Sequence, residues 1–151
     1  MNQIQEKYNW NLTDLFENKE EFYKAKEKMQ KDLKEIEKYK GILCDSAENL
    51  YQCYNIYEKI LIDFDKIYSY GMFSYHLNMA DQEGIKLFKE VENLSSEFNT
   101  ATSYITPEIT FTDEAIINKY LEEDKRLKRY ERDIKDTLEK KKHILSKEEE
   151  N

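Results

Sequence analysis

The chain has 151 residues, 37% of them charged, and a formal net charge of −8, with three glycines, one proline and two cysteines. That length suits one domain able to bury a real core, and so few Gly and Pro argue against a strand-and-turn architecture. The acidic balance disfavours a nucleic-acid partner, and twelve Tyr, seven Phe and one Trp exclude a disordered chain by supplying the apolar area that offsets chain entropy.

An N-terminal arm comes first, over residues 1–17. Thr13 can cap one short helical turn there, and Trp10, Leu15 and Phe16 are expected to pin the arm to the core. Asn18, with Glu21 three residues on, opens a helix in the manner of a capping box. Phe22, Ala25, Met29, Leu33, Ile36 and Tyr39 form its narrow apolar seam, and Gly41 is expected to end it.

The next stretch organises the rest. From Ser46 to Asn78, Leu50, Cys53, Tyr54, Tyr57, Ile60, Leu61, Phe64, Ile67, Tyr68, Gly71 and Tyr75 recur at steps of three and four. That spacing predicts one long amphipathic helix needing partners along its length. Tyr70 and Phe73 fall off this stripe and are the candidates for facing a channel or a second domain.

A third helix is expected to start at Asp81, with Ile85, Phe88, Val91, Leu94, Phe98, Ala101 and Ile105 as its stripe and Pro107 as its end. Shorter helices over 112–142 follow, one capped by Thr112 and one beginning near Asp124 with Leu127, Tyr130, Ile134 and Leu138. His143-Ile144-Leu145 reads as an extended link, and Ser146 with Glu149 as a capping box that opens a truncated helix over 146–151. The expected fold is all-α: an antiparallel bundle on the central helix at about 46–78, with a three-helix hairpin core over 18–107.

Catalytic signatures are scarce. The two histidines, His76 and His143, lie far apart, and neither belongs to a His-Glu-x-x-His zinc motif. Glu122-Glu123-Asp124 lacks the loop chemistry of a calcium site. Gly41, Gly71 and Gly84 are isolated, so no phosphate loop is present. Cys53 on the apolar stripe packs as a small apolar residue, and Cys44 lies in a loop. The basic run Lys125-Arg126-Leu127-Lys128-Arg129 is interleaved with acids and reads as a solvated helix face. No run approaches the ~20 apolar residues of a membrane span. Met1–Glu6 lacks the regions of a signal peptide, so the cytoplasm is the expected compartment.

Four short motifs stand in a particular order. They are Trp10-Asn11-Leu12-Thr13-Asp14-Leu15-Phe16, Ile67-Tyr68-Ser69-Tyr70, Tyr104-Ile105-Thr106-Pro107-Glu108-Ile109 and His143-Ile144-Leu145-Ser146-Lys147-Glu148-Glu149-Glu150. Together they resemble the N-terminal region of oligoendopeptidase F, a family of bacterial zinc metallopeptidases related to thimet oligopeptidase. Lys142 stands where that family commonly has proline.

The resemblance implies a parent about four times as long. Its zinc and catalytic residues would lie downstream, and its N-terminal helices would form part of the wall around a channel that admits short peptides. No catalytic or metal-binding residue carries over to this chain, and zinc is expected in the parent only. The expected partners are the C-terminal catalytic domain and, through an apolar face left exposed, a second copy of the chain. The alternative is a free-standing helical protein–protein interaction module.

Overall fold

The computed structural model describes residues 16–77 and 82–150, with side chains described through His143. These residues form α-helices α1 (Lys19–Glu37), α2 (Ala47–Leu77), α3 (Gln82–Thr102), α4 (Ile105–Phe111), α5 (Glu114–Glu123) and α6 (Glu131–Glu150), with a 3-10 helix at Lys125–Tyr130 between the last two. No strand occurs among the described residues, and the fold is all-α as the spacing predicts. Trp10 and Leu15 lie outside the described residues, as does the expected cap Asp81.

The helix ends show why the segments begin and stop where they do. Asn18 Oδ1 accepts the Glu21 N–H at 3.0 Å, and the Glu21 carboxylate reaches back to the Glu17 N–H at 3.2 Å. At α2, Ser46 Oγ accepts the Asn49 N–H at 3.1 Å. The Asn49 amide donates at 2.9 Å to the Ile42 carbonyl, which ties the cap to the preceding loop. The first helix ends at Glu37, earlier than the spacing predicts, and unwinds through tight turns to Gly41. Gly41 sits at φ +86°, a left-handed conformation that favours glycine.

The chain divides into two compact units, and the expected hairpin core over 18–107 is not one of them. Unit one takes residues up to Lys34 together with Glu58–Ala101, and unit two takes Glu35–Tyr57 with Thr102 onward. In unit one the core is aromatic. Phe22 stacks on Tyr70 at 5.2 Å between ring centres, and Phe16 meets both edge-on at 6.0 and 5.4 Å. Phe64 stacks on Phe98 at 5.8 Å and Tyr75 on Phe88 at 4.8 Å. At Gly71 α3 comes close to α2: a Cβ there would lie 2.4 Å from Val91 Cγ2.

That close approach corrects the reading of the long helix. Tyr70 and Phe73, expected to turn away from the core, are buried, whereas Tyr68 from the expected stripe is 46% exposed and Leu61 is 41% exposed. Within unit one α2 is covered by α1 through Phe22 and by α3 through Val91. Its buried surface is therefore wider than a single stripe, and shifted round the helix.

Three boundaries also move. Pro107 does not end α3; the break falls at Ser103-Tyr104, and Pro107 sits in the first turn of α4, where its missing N–H costs no helix bond. Asp113, not Thr112, caps α5 by accepting from Ala115 N at 2.9 Å, while the Thr112 hydroxyl donates to the Glu108 carbonyl at 2.8 Å. Finally, α6 runs unbroken from Glu131 to Glu150, so the expected link at 143–145 and the helix start at Ser146 are absent. Lys142-His143-Ile144-Leu145 contains no Gly or Pro to stop a helix already propagating.

Candidate functional site

In unit two the turn between α1 and α2 is held by several hydrogen bonds. Its backbone groups have left one helix and not yet entered the next, so they need partners. Glu108 on α4 supplies two. Its carboxylate accepts the Gly41 N–H at 2.7 Å and the Leu43 N–H at 3.3 Å. Two tyrosine hydroxyls complete the set: Tyr120 donates to the Cys44 carbonyl at 3.0 Å, and buried Tyr104 donates to the Ile36 carbonyl at the end of α1.

Burial governs the chemistry of this region. The Tyr104 hydroxyl lies 3.5 Å from Cys53 Sγ, and desolvation raises the pKa of both groups, that of Cys53 to about 11. Cys44 is half-buried, and desolvation moves its thiol upward too. Neither thiol is therefore an activated nucleophile, because the thiolate is the disfavoured form. Desolvation likewise raises Tyr54, which stacks on Tyr130 at 5.5 Å.

The basic run resolves into separate roles. Leu127 is fully buried, and Lys125, Lys128 and Arg132 are exposed, as a solvated face requires. Arg126 is committed inside the chain: it binds Asp124 through Nε at 3.0 Å and Nη2 at 2.7 Å, pairs with Glu48, and lies 4.0 Å over the Tyr51 ring. Those hydrogen bonds raise the pKa of Arg126 further and lower that of Asp124, while Glu48 is lowered first by the hydrogen bond from the Gln52 amide and then by Arg126.

His76 and His143 are both exposed on different helices. Among the described residues no three His, Cys, Asp or Glu side chains gather into a group that could hold a metal ion. An open depression in unit two is lined by residues including Leu121, Lys125, Lys128 and Lys135, and another on α3 by residues including Ile85, Lys86 and Lys89. Both are open to solvent, unlike the concave and largely apolar sites that bury small molecules. No described helix is long and apolar enough to cross a membrane.

A sequence profile described as Oligopeptidase F matches residues 108–151. An oligoendopeptidase F homolog of Borreliella burgdorferi is 32% identical over 149 residues, covering 99% of this chain and 25% of that protein. Together these matches support an N-terminal helical fragment of an oligoendopeptidase F. Oligopeptidase PepF of Bacillus subtilis is 28% identical over 145 residues, 93% of this chain and 21% of that protein. The crystal structure of oligoendopeptidase-F from Enterococcus faecium aligns with a TM-score of 0.75 at 24% identity, over 88% of this chain and 26% of that one, a likeness of fold. The chain thus spans about a quarter of the length of the curated relatives it matches.

The span matched by the Oligopeptidase F profile begins at Glu108, the residue whose carboxylate holds the α1–α2 turn. Sequence reasoning read Glu108 only as part of the Tyr104–Ile109 motif and missed this role. The available signal was a lone acid within the otherwise uncharged run from Tyr104 to Phe111, where a carboxylate needs donors to be tolerated. Of the expected anchors, Phe16 packs on Phe22 and Tyr70.

Proposed function

We propose that this chain is the non-catalytic N-terminal domain of an oligoendopeptidase F-type zinc metallopeptidase, forming part of the wall that restricts short peptides' access to a channel. The observation that carries this reading is the match along 99% of the chain to a quarter of a relative named as an oligoendopeptidase F homolog. Bond-making and zinc belong, on this reading, to the other three quarters of such a protein.

A wall works by shape and charge, so it has to be stiff and well packed. The aromatic stacking of unit one and the hydrogen-bonded turn of unit two are features of that kind. The parent's substrates on this reading are short peptides, and the domain's partner is the catalytic remainder.

The test is to incubate the purified chain with zinc and a short peptide, and to read the genomic frame beyond codon 151. We expect no hydrolysis, and an in-frame His-Glu-x-x-His downstream. Chelator-sensitive hydrolysis by the chain alone would overturn the non-catalytic reading. A stop codon with no such motif would favour the helical interaction module instead.

A further inference from the structure

The long helix α2 carries large apolar side chains that its neighbours leave exposed. Leu61 is 41%, Ile62 58% and Tyr68 46% exposed, while Ile60, Ile67, Tyr70 and Phe73 are buried. At about 100° per residue, Leu61, Asp65, Tyr68 and Met72 fall on one strip, and Ile62 lies about a quarter-turn to one side of it. A lone exposed apolar residue is ordinary, but a grouped strip marks a contact surface.

Asp65 lies exposed within this strip and makes no ion pair with another described residue. In a parallel two-fold pair built on the strip Asp65 would face its own copy, and in an antiparallel pair centred on the strip it would lie against Tyr68, so in neither does the carboxylate meet an opposite charge. Like charges, or a carboxylate without a cation, are unfavourable at a closing interface, so a second copy is a poor occupant. An apolar segment bearing a cation is a good one.

We infer that the strip seats an amphipathic helix whose apolar side chains flank a central Lys or Arg, supplied by the part of an oligoendopeptidase F-type chain outside the matched quarter. The chemistry follows from the strip itself. The source rests on the function proposed above and on relatives about four times the length matched.

Two measurements test the inference. In the first, the full chain is titrated with two synthetic Leu-striped helical peptides differing only in a central Lys or Glu. The Lys peptide should bind about tenfold tighter, and Asp65→Lys should reverse the order. Equal affinities, or no effect of the substitution, would overturn the inference whatever the chain's function.

In the second, this chain replaces the matched quarter of the Borreliella burgdorferi homolog, and radical footprinting follows Tyr68. Its reactivity should fall severalfold relative to the free chain. An unchanged Tyr68 in a folded chimera overturns the committed source, as does a dimer of the free chain that Leu61→Lys dissolves. A chimera that protects Tyr68 yet cleaves no peptide counts against the proposed function and supports the docking strip. If the chimera does not fold, the peptide titration decides.

Discussion

Unit one and unit two stabilise their helices in different ways. Unit one relies on shape: stacked rings around Phe22 and Tyr70, and a helix approach at Gly71 too close for any side chain. Its ion pairs include the part-buried Lys26–Glu90 at 2.7 Å and Lys28–Asp63 at 3.0 Å. Unit two relies on polar bonds to a turn, through Glu108, Tyr104 and Tyr120. Packing faults should therefore dominate the mutational response of unit one, and lost hydrogen bonds that of unit two.

The largest expected effect is Phe22→Ala. The side chain is fully buried and in contact with three rings, so its loss should cost about 3–5 kcal/mol in urea unfolding. A cost under about 1 kcal/mol would mean that the stack collapses onto itself.

Tyr104→Phe keeps the ring but leaves the Ile36 carbonyl without its side-chain donor and should cost about 1–3 kcal/mol. Glu108→Ala should fall in the same range, with faster hydrogen exchange at the Gly41 and Leu43 amides. If those amides are unaffected, Glu108 does not hold the turn.

Gly71→Ala sets a helix-propensity gain of about 1 kcal/mol against an overpacking cost of about 1–3 kcal/mol. We expect net destabilisation, because Val91 is β-branched and stiff in a helix. The two substitutions should couple favourably, Gly71→Ala being tolerated better beside Val91→Ala. Strict additivity would contradict the close approach.

The smallest effect concerns pH. Cys53 is neutral in the fold, with its pKa raised from 9.0 to about 11 by burial. Its contribution is fully present below pH 9 and is lost as the pH rises toward 11, because the unfolded chain releases the proton first. Stability followed by circular dichroism should decline across that window, and less steeply in Cys53→Ala. At pH 8 a thiol reagent should modify half-buried Cys44 well before Cys53.

Much of this was legible in the sequence. Helix periodicity located α1, α2 and α3, and the steps from Leu127 to Leu138 named residues that are all buried. What stayed hidden depends on neighbours. Tyr70 and Phe73 could not be placed, because a helix covered on more than one side has no single stripe to read. Glu108 and Tyr104 were missed because the groups they bond, at Gly41, Leu43 and Ile36, lie more than 60 residues away in the chain. The expected start at Ser146 failed for a different reason: a capping pattern stops nothing when the helix before it has no breaker. The oligoendopeptidase F resemblance came through motifs whose order survives such local errors.

The most direct test of the functional account is the ratio of short-peptide to long-polypeptide cleavage by the Borreliella burgdorferi homolog. The ratio is compared with the homolog's matched quarter replaced by this chain and with that quarter removed. A wall domain should keep the ratio high in the chimera and let it fall on removal. An equal ratio in the two proteins, both active on short peptides, would contradict the account.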